Sequence, residues 1–280
     1  MKGARPLPAK ELPIVILDGF APTSQRLVLD RRGSTVWEIE SERGKYAAKL
    51  GYANESSEGI QPWTALAPAR EGHILNMLNE EPTAFGEWEE GTWNVQPWRE
   101  GPSLWQLWEG CRVPGSRMEP HQSVALACAE VIAELHGKGW THSDIQPAHF
   151  VVGPERTHLI DLALARGGRV SAGFDFPFRG CLVHYEAPEI SRSVLETGWA
   201  EPTQASDVYA FGASLLISAT GVRAVEYPDD APRPVQRQAI VDGRHRDVTV
   251  SGPMRSLVRE MLRYDPKDRP TIYEVGKALS

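Results

Sequence analysis

The sequence predicts an α+β fold in which a small antiparallel sheet with one helix precedes a larger helical part. Strand-like runs separated by turns fill the first third of the chain. From Ser103 onward, apolar residues recur at helical spacing. The turn-rich stretch R-E-G-P, which follows Trp98, predicts a boundary between the two parts. The predicted organisation is therefore an N-terminal arm (1–24), a sheet-rich lobe (25–98) and a helical lobe (99–280).

Length and composition narrow the class of protein. A chain of 280 residues suits one large domain or two unequal lobes. The net charge of −7, without a long basic run, argues against nucleic acid as a partner. Three widely spaced cysteines argue against a disulfide framework or a zinc cluster and favour a reducing cytoplasm. The chain has no apolar window of about 18 residues, so we expect no membrane insertion.

The sheet-rich part is predicted from short apolar runs between turn residues. The arm is rich in proline, and Ile14 to Leu17 predicts a short strand within it. Three strands of an antiparallel meander follow, at Leu27–Asp30, Val36–Glu40 and Tyr46–Leu50. This arrangement places Lys49 near the end of the third strand.

One helix and one hairpin complete this part. Residues 51–61 predict a polar loop, and apolar spacing of three and four predicts a helix through Glu71 to Leu78, with Pro68 in its first turn. Residues 85–96 predict a hairpin that turns at Glu90-Gly91. Seven of the nine tryptophans fall between Trp37 and Trp108, which indicates either an aromatic-lined surface or a small lobe with large core side chains.

The helical part is predicted from its apolar periodicity. A long helix should run from about Pro120 to His136 and end at glycines. Residues 163–185 and 223–245 predict loops. The remaining helices are predicted after Glu186, over Asp207–Ser218, over Met254–Tyr264 and over Thr271–Leu279.

A polar loop between the long helix and a short strand contains the most informative residues. The stretch Trp140–Val152 reads W-T-H-S-D-I-Q-P-A-H-F-V-V, and a second acid, Asp161, follows after a further short strand. The strand, turn and strand between them place Asp144 and Asp161 side by side. Two carboxylates and a neutral ligand can hold a base and a metal ion together, as phosphoryl transfer from ATP requires.

The order of several motifs resembles that of the eukaryotic Ser/Thr and Tyr protein kinases, over about Leu27 to Leu279. A set of motifs in the right order is far more specific than any one of them. The matching residues are Lys49 in Y-A-A-K-L, Glu71 in the next helix, His142 and Asp144 in H-S-D, Asp161 in D-L-A, Ala187–Glu189 as A-P-E, Asp207 in D-V-Y-A-F-G and Arg269 in D-R-P-T.

The resemblance implies a two-lobed protein-kinase-like fold with ATP and Mg²⁺ (or Mn²⁺) as cofactors and a protein or peptide acceptor. Lys49 would contact the phosphates and Glu71 would hold it, while Asp144 would accept the hydroxyl proton. Asp161 and His149 would bind the metal. The nucleotide surface would further include Gly33, Val36, Ala47, Gln96 and Trp98. His142, Asp207 and the Glu189–Arg269 pair would be structural.

Four departures from the family pattern bear on the chemistry. Ser143 replaces an Arg that receives an activating phosphate, and no Thr lies between Asp161 and Glu189, so we predict no activation by phosphorylation of that segment. Gln146 replaces the catalytic-loop Lys, and the Thr that pairs with that Lys is also absent, with Leu182 near its place. His149 replaces the metal-binding Asn: it either ligates the metal, which suits Mn²⁺ better than Mg²⁺, or only bonds Asp144. The glycine-rich loop keeps only Gly33.

Two classes of function are consistent with these residues. The first is an active phosphotransferase that acts on Ser/Thr of a protein or peptide. The second is a pseudokinase, a nucleotide-binding or scaffolding module without transfer. Within the first class, the loss of the Lys at Gln146 also suits a small-molecule kinase or a kinase of peptide biosynthesis, by analogy of fold only.

Overall fold

The computed structural model describes residues 11–31, 33–56, 59–78, 83–250, 252 and 254–280. The chain divides into two compact units, which we call the sheet unit (up to Trp98) and the helical unit (from Arg99). The sheet unit combines one antiparallel sheet with helices, and the helical unit is larger. The predicted α+β fold class, of protein-kinase type, is therefore confirmed.

The sheet unit contains two helices and seven strands within the described ranges. In chain order they are α1 (Ile14–Phe20), β1 (Ser24–Arg31), β2 (Ser34–Ser41), β3 (Gly44–Tyr52), β4 (Asn54–Ser56), β5 (Gly59–Gln61), α2 (Trp63–Met77), β6 (Ala84–Trp88) and β7 (Gly91–Pro97). Five strands pair antiparallel in the order β1-β2-β3-β7-β6, and β4 pairs with β5 in a separate hairpin.

The register of the five-stranded sheet gives its two faces different roles. Directly opposed residues share a face, so the pairs Val36↔Lys49, Lys49↔Asn94 and Ala47↔Gln96 place these five side chains on one side. The opposite face forms an apolar cluster with α1, and tryptophan contributes two of its large side chains. The buried members of this cluster are Leu12, Ile16, Trp37, Ile39, Ala48, Leu50, Trp93 and Val95.

The prediction of an extended arm with a strand at Ile14–Leu17 is wrong, because these residues begin α1. A short apolar run does not distinguish a strand from a buried helix by periodicity alone. Leu12 and Ile16, four residues apart, are both buried against the sheet. The helix ends at Ala21, whose left-handed backbone (φ 43°) lets its N–H bond to Leu17 O.

Two predictions near α2 also need correction. The loop predicted over residues 51–61 contains the β4–β5 hairpin. Pro68 lies in the interior of α2 instead of its first turn. A proline there removes one helical hydrogen bond, and the neighbouring strand β7 compensates with side-chain contacts described below.

The helical unit contains seven α-helices and a two-stranded hairpin within the described ranges. They are α3 (Leu104–Leu107), α4 (Gln122–Gly137), β8 (Phe150–Val152), β9 (Thr157–Leu159), α5 (Pro188–Thr197), α6 (Gln204–Thr220), α7 (Arg233–Val241), α8 (Met254–Met261) and α9 (Ile272–Leu279). Helix α6 is buried on nearly all sides, as its sequence predicts, and α4, α8 and α9 share one apolar core with it.

The loop predicted over residues 223–245 is wrong in part, because α7 lies within it. The helix starts after Pro232, with Pro234 in its first turn, where a missing N–H costs nothing. Its buried face includes two polar residues, Gln236 and Arg237. A pattern that expects apolar residues on a buried face therefore misses this helix. Among the residues described, we find no helix with the length and apolar character of a membrane span.

Candidate active site

The structure brings the predicted site residues together in two groups, one in each unit. Lys49 and Glu71 meet in the sheet unit. Asp144, His149 and Asp161 meet in the helical unit, where one ligand atom from each lies within 4.8 Å of the others.

Lys49 on β3 forms a close ion pair with Glu71 on α2. The Lys49 Nζ lies 2.8 Å from a Glu71 carboxylate oxygen, and the Glu71 side chain is only 1% exposed. A second donor, Asn94 Nδ2 on β7, reaches Glu71 Oε2 at 3.0 Å. The pair predicted from the resemblance is thus present, and a buried strand residue supports it.

The other residues predicted for the nucleotide surface lie on or beside the same sheet. Val36 and Ala47 are half-buried on the face of Lys49. Gly33 has a left-handed backbone (φ 79°) in the β1–β2 turn. Gln96 is buried and donates to Asn94 Oδ1 at 3.2 Å. The ring of Trp98 lies under the Lys45 ammonium.

Asp207, in the first turn of α6, anchors the polar loop of the helical unit through hydrogen bonds. Its carboxylate accepts from the backbone N–H groups of His142 (2.7 Å) and Ser143 (2.8 Å) and contacts His136 Nε2 (2.9 Å). The bond to the loop backbone confirms the predicted role of Asp207. Ser143 adopts a left-handed backbone (φ 69°), a strained conformation that such contacts can sustain.

His142 is fully buried beneath the loop. Its Nδ1 accepts from Asp144 N (3.2 Å), so Nε2 carries the proton and donates to Ile160 O (3.0 Å). Burial lowers the pKa of His142 to about 4, and nearby His149 adds to this effect. The ring is therefore neutral and structural, as predicted.

Asp144 has one satisfied and one unsatisfied carboxylate oxygen. Gln146 Nε2 donates to Oδ2 at 3.2 Å. Oδ1 is buried and has no hydrogen-bond partner among the residues that the structure describes. Burial raises the pKa of Asp144 to about 7, and Asp161 adds to the rise, whereas His149, Gln146 and the backbone N–H of Leu182 oppose it. A carboxyl with this pKa and a free oxygen suits a general base.

His149 connects the two acids. Its Nδ1 lies 2.9 Å from Asp144 O, a carbonyl that can only accept, so Nδ1 carries a proton. Its Nε2 lies 3.3 Å from Asp161 Oδ2. Burial lowers the pKa of His149, but the hydrogen bond and charge of Asp161 outweigh it and raise the pKa overall. The predicted bond to Asp144 is therefore present, but it is not the ring's sole contact, since Nε2 faces Asp161; the role of His149 as a metal ligand stays a prediction.

Asp161 is placed by the end of the β8–β9 hairpin. Ile160 N donates to His149 O at 2.9 Å, which sets residues 149 and 161 side by side. Asp161 itself has a left-handed backbone (φ 67°), which is uncommon for a non-glycine residue. Its side chain is 42% exposed, so one face remains open to solvent.

The segment between Asp161 and α5 is anchored by two ion pairs. Glu189 pairs with Arg269 through two contacts of 2.7 and 2.8 Å, as predicted. Glu186 pairs with Arg237 of α7 at 2.7 and 3.0 Å, and also accepts from Ser191. The sequence analysis missed this second pair.

Three residues that shape the two groups escaped the sequence analysis: Asn94, Glu186 and Arg237. Asn94 lies between apolar strand residues, where a polar side chain suggests the solvent face of the sheet. Arg237 lies on α7, within the stretch for which the sequence predicts a loop. Glu186 directly precedes the A-P-E motif, but the sequence does not indicate which basic residue pairs with it.

No protein-family model matches the chain. Serine/threonine-protein kinase 16 of Mus musculus is 24% identical over 199 residues, which cover 64% of this chain and 62% of that protein. The LRR receptor-like serine/threonine-protein kinase SIK1 of Oryza sativa subsp. japonica is 24% identical over 266 residues, 88% of this chain and 26% of that protein. Casein kinase 1-like protein HD16, also from rice, is 34% identical over 73 residues, 23% of this chain and 10% of that protein. The chain spans less than two thirds of each relative. These similarities support a place for the chain in the protein-kinase-like superfamily.

Proposed function

We propose that this chain is an ATP-dependent phosphotransferase that transfers the γ-phosphate to a Ser or Thr hydroxyl of a protein or peptide. The observation that carries the proposal is the cluster of Asp144, His149 and Asp161, in which a buried Asp144 oxygen has no hydrogen-bond partner within the described part of the chain. Kinase-named relatives support the same reaction class.

The residues of the cluster suit a divalent cation with mixed oxygen and nitrogen ligands. Asp161 supplies an exposed carboxylate, and His149 Nε2 faces it with Nδ1 already committed to a carbonyl. Such a donor set favours Mn²⁺ more than an all-oxygen site does. The cation would neutralise phosphate charge there.

The remaining roles follow from charge and position. Lys49, held by Glu71, would contact the nucleotide phosphates as a point charge. Asp144 would orient the acceptor hydroxyl and accept its proton. Gln146 keeps the other oxygen of Asp144 fixed by one neutral hydrogen bond.

The second candidate is a pseudokinase that binds nucleotide without transfer. It is favoured by Gln146, since a neutral amide cannot give the transferring phosphate the charge of a lysine. The contact between His149 Nε2 and Asp161 also favours it, because a protonated imidazole there would compete with a metal.

Thermal-shift and turnover measurements on the wild type and Asp144→Asn separate the two candidates. The assay contains ATP, Mg²⁺ or Mn²⁺ and a pool of Ser/Thr peptides. We expect a thermal shift for both proteins, and a turnover number for the variant that is at least about 100-fold lower than that of the wild type. A shift without wild-type turnover would favour the pseudokinase. The absence of both a thermal shift and turnover would exclude both candidates.

A further inference from the structure

Helix α2 is tied to strand β7 by polar side chains, in addition to the apolar packing of the unit. Thr92 and Asn94 of β7 are 2% and 0% exposed, and both face α2. Polar groups buried this deeply are costly unless they are hydrogen-bonded. Their bonds to the helix all lie around Pro68, between Ala65 and Glu71.

Thr92 repairs the helix beside the proline. Its hydroxyl donates to Ala65 O (2.6 Å) and accepts from Ala69 N (3.1 Å). These are the two groups that an uninterrupted helix pairs directly. The hydroxyl of a strand residue is therefore inserted into the hydrogen-bond ladder of α2.

Asn94 joins the same turn to the ion pair. Its Nδ2 donates to Pro68 O (2.8 Å) and to Glu71 Oε2 (3.0 Å), and its Oδ1 accepts from Gln96 Nε2 (3.2 Å). The opposite orientation of the amide would point its oxygen at a carbonyl and a carboxylate, so the hydrogen-bond network fixes the assignment. Both amide protons are used.

Close packing adds to this attachment at the next residue of the helix. A Cβ on Gly72 would lie 2.6 Å from Phe85 Cβ on β6. The helix thus approaches the sheet as closely as a glycine permits, directly after Glu71.

We propose that Asn94 is a positioning residue that holds Glu71, and through it Lys49, in the geometry that receives nucleotide phosphates. The nucleotide-binding part of this inference rests on the proposed function, whereas the positioning of Glu71 and Lys49 by Asn94 does not. Both carboxylate oxygens of Glu71 lie 2.8 Å from Lys49 Nζ. Asn94 donates to one of them, Oε2, from a strand that is paired on both sides. The Lys49–Glu71 pair is therefore preformed before any nucleotide binds.

The test compares Asn94→Leu, which keeps the side-chain size without the donors, with Asn76→Ala. Asn76 bonds Thr83 from the other end of α2 and does not touch Glu71 in any of its described bonds, so it is the matched control. The nucleotide-free readout is the rate at which acetic anhydride modifies Lys49, followed by peptide mass spectrometry. The second readout is the Kd for ATP with Mn²⁺, measured by calorimetry, together with KM and kcat.

In Asn94→Leu we expect Lys49 to react several-fold faster, and the Kd and KM for ATP to rise about tenfold with a smaller change in kcat, because a hydrogen bond to a charged group is lost. Asn76→Ala should leave both readouts at the wild-type values. A folded Asn94→Leu with Lys49 reactivity and ATP affinity within twofold of wild type would overturn the inference. If the wild type binds no ATP, the proposed function fails, and the Lys49 reactivity alone decides the positioning role.

A measurement on the wild type covers the case in which Asn94→Leu does not fold. In protein labelled with ¹⁵N-asparagine, both side-chain amide protons of Asn94 should exchange slowly, since both are hydrogen-bonded and buried. Rapid exchange of these protons would contradict the inference.

Discussion

His149 contacts Asp144 with one ring nitrogen and Asp161 with the other. Hydrogen bonds to backbone groups position it relative to both acids: Nδ1 bonds the Asp144 carbonyl, and the His149 carbonyl accepts from Ile160 N. The Nδ1 proton is committed to the Asp144 carbonyl. Only Nε2 can therefore serve a metal. In the protein-kinase pattern that this loop resembles, this position is an Asn with an oxygen donor, so we expect the replacement to change the preferred ion more than the geometry.

The variant His149→Asn should shift the metal preference from Mn²⁺ towards Mg²⁺. An amide oxygen replaces an imidazole nitrogen, and Mg²⁺ prefers oxygen. We expect the ratio of kcat/KM with Mn²⁺ to kcat/KM with Mg²⁺ to fall at least about fivefold, for which a difference of about 1 kcal/mol suffices.

The control for this prediction is His73→Asn, which changes a histidine in the sheet unit outside the cluster. It should leave the ratio unchanged. An unaltered ratio in His149→Asn would show that Nε2 does not contact the metal.

His142 should make the stability of the protein depend on pH. Its pKa in the folded protein, about 4, lies below the ordinary value of 6.5. Between pH 4 and pH 6.5, the unfolded chain therefore binds the proton more readily than the folded protein does. The stabilisation is present above pH 6.5 and is lost as the pH falls towards 4. From pH 7 to 5 this one group accounts for about 2 kcal/mol.

Urea unfolding of wild type and His142→Gln at pH 7 and pH 5 measures this contribution. The variant should lose less free energy of unfolding between the two pH values than the wild type. His121→Gln, at an exposed position, should keep the wild-type dependence. Equal dependence in all three proteins would contradict the neutral, buried state of His142.

Helix α7 and the segment before α5 are joined by the buried pair of Glu186 and Arg237, whose side chains are 0% and 8% exposed. Gly180 of the same segment lies against the pair, since a Cβ there would be 2.3 Å from Glu186 Oε2. A short helix far along the chain thereby fixes the residues that follow Cys181.

Arg237→Met should destabilise the protein by about 3–5 kcal/mol, because it leaves a buried carboxylate without its partner. The double variant Glu186→Leu/Arg237→Met removes both charges and should recover most of this loss. Denaturant unfolding measures both.

The matched control is Arg263→Met, which breaks a solvent-exposed pair with Glu260 and should leave the free energy of unfolding close to that of the wild type. A double variant as unstable as Arg237→Met would argue that packing at the site, and not the unpaired charge, sets the cost.

The elements show where sequence reasoning succeeds. The strands β1–β3, the β6–β7 hairpin and helices α4 and α6 follow from turn residues and from the spacing of their apolar residues, although β7 and α6 also bury polar side chains. Helix α1 was mistaken for a strand since its apolar run is too short to show a period. Helix α7 and residue Asn94 were missed for a common reason: they bury polar side chains, and only the three-dimensional structure reveals the partners that make this tolerable.

At the scale of the whole molecule, the order of motifs predicted more than any single pattern. It predicts that Lys49 contacts Glu71 and that Asp144 lies near Asp161, across 22 and 17 positions of sequence. Each pair lies close together in the structure, the first within the sheet unit and the second within the helical unit. It could not predict how the departures are accommodated. Ser143 contacts Thr141, and Gln146 bonds Asp144, contacts that depend on local backbone geometry.

The activity of the whole molecule should not require phosphorylation of the segment between Asp161 and Glu189. Ser143 offers no positive charge to a phosphate, Tyr185 is buried, and Glu186 already holds Arg237. Phosphatase treatment and Ser171→Ala should each leave turnover within twofold of the untreated wild type. Mass spectrometry that finds phospho-Ser171, together with loss of activity in Ser171→Ala, would contradict this.

The proline inside α2 also has a consequence for the order in which the chain folds. Without Thr92, the turn around Pro68 lacks the hydroxyl that bridges Ala65 and Ala69. Since Thr92 follows the helix in the sequence, we expect the turn of α2 around Pro68 to become stable only when β7 packs against it. Formation of the helix and closure of the sheet then become one cooperative event, and the amide of Ala69 should exchange with solvent at the same rate as the amides of β7.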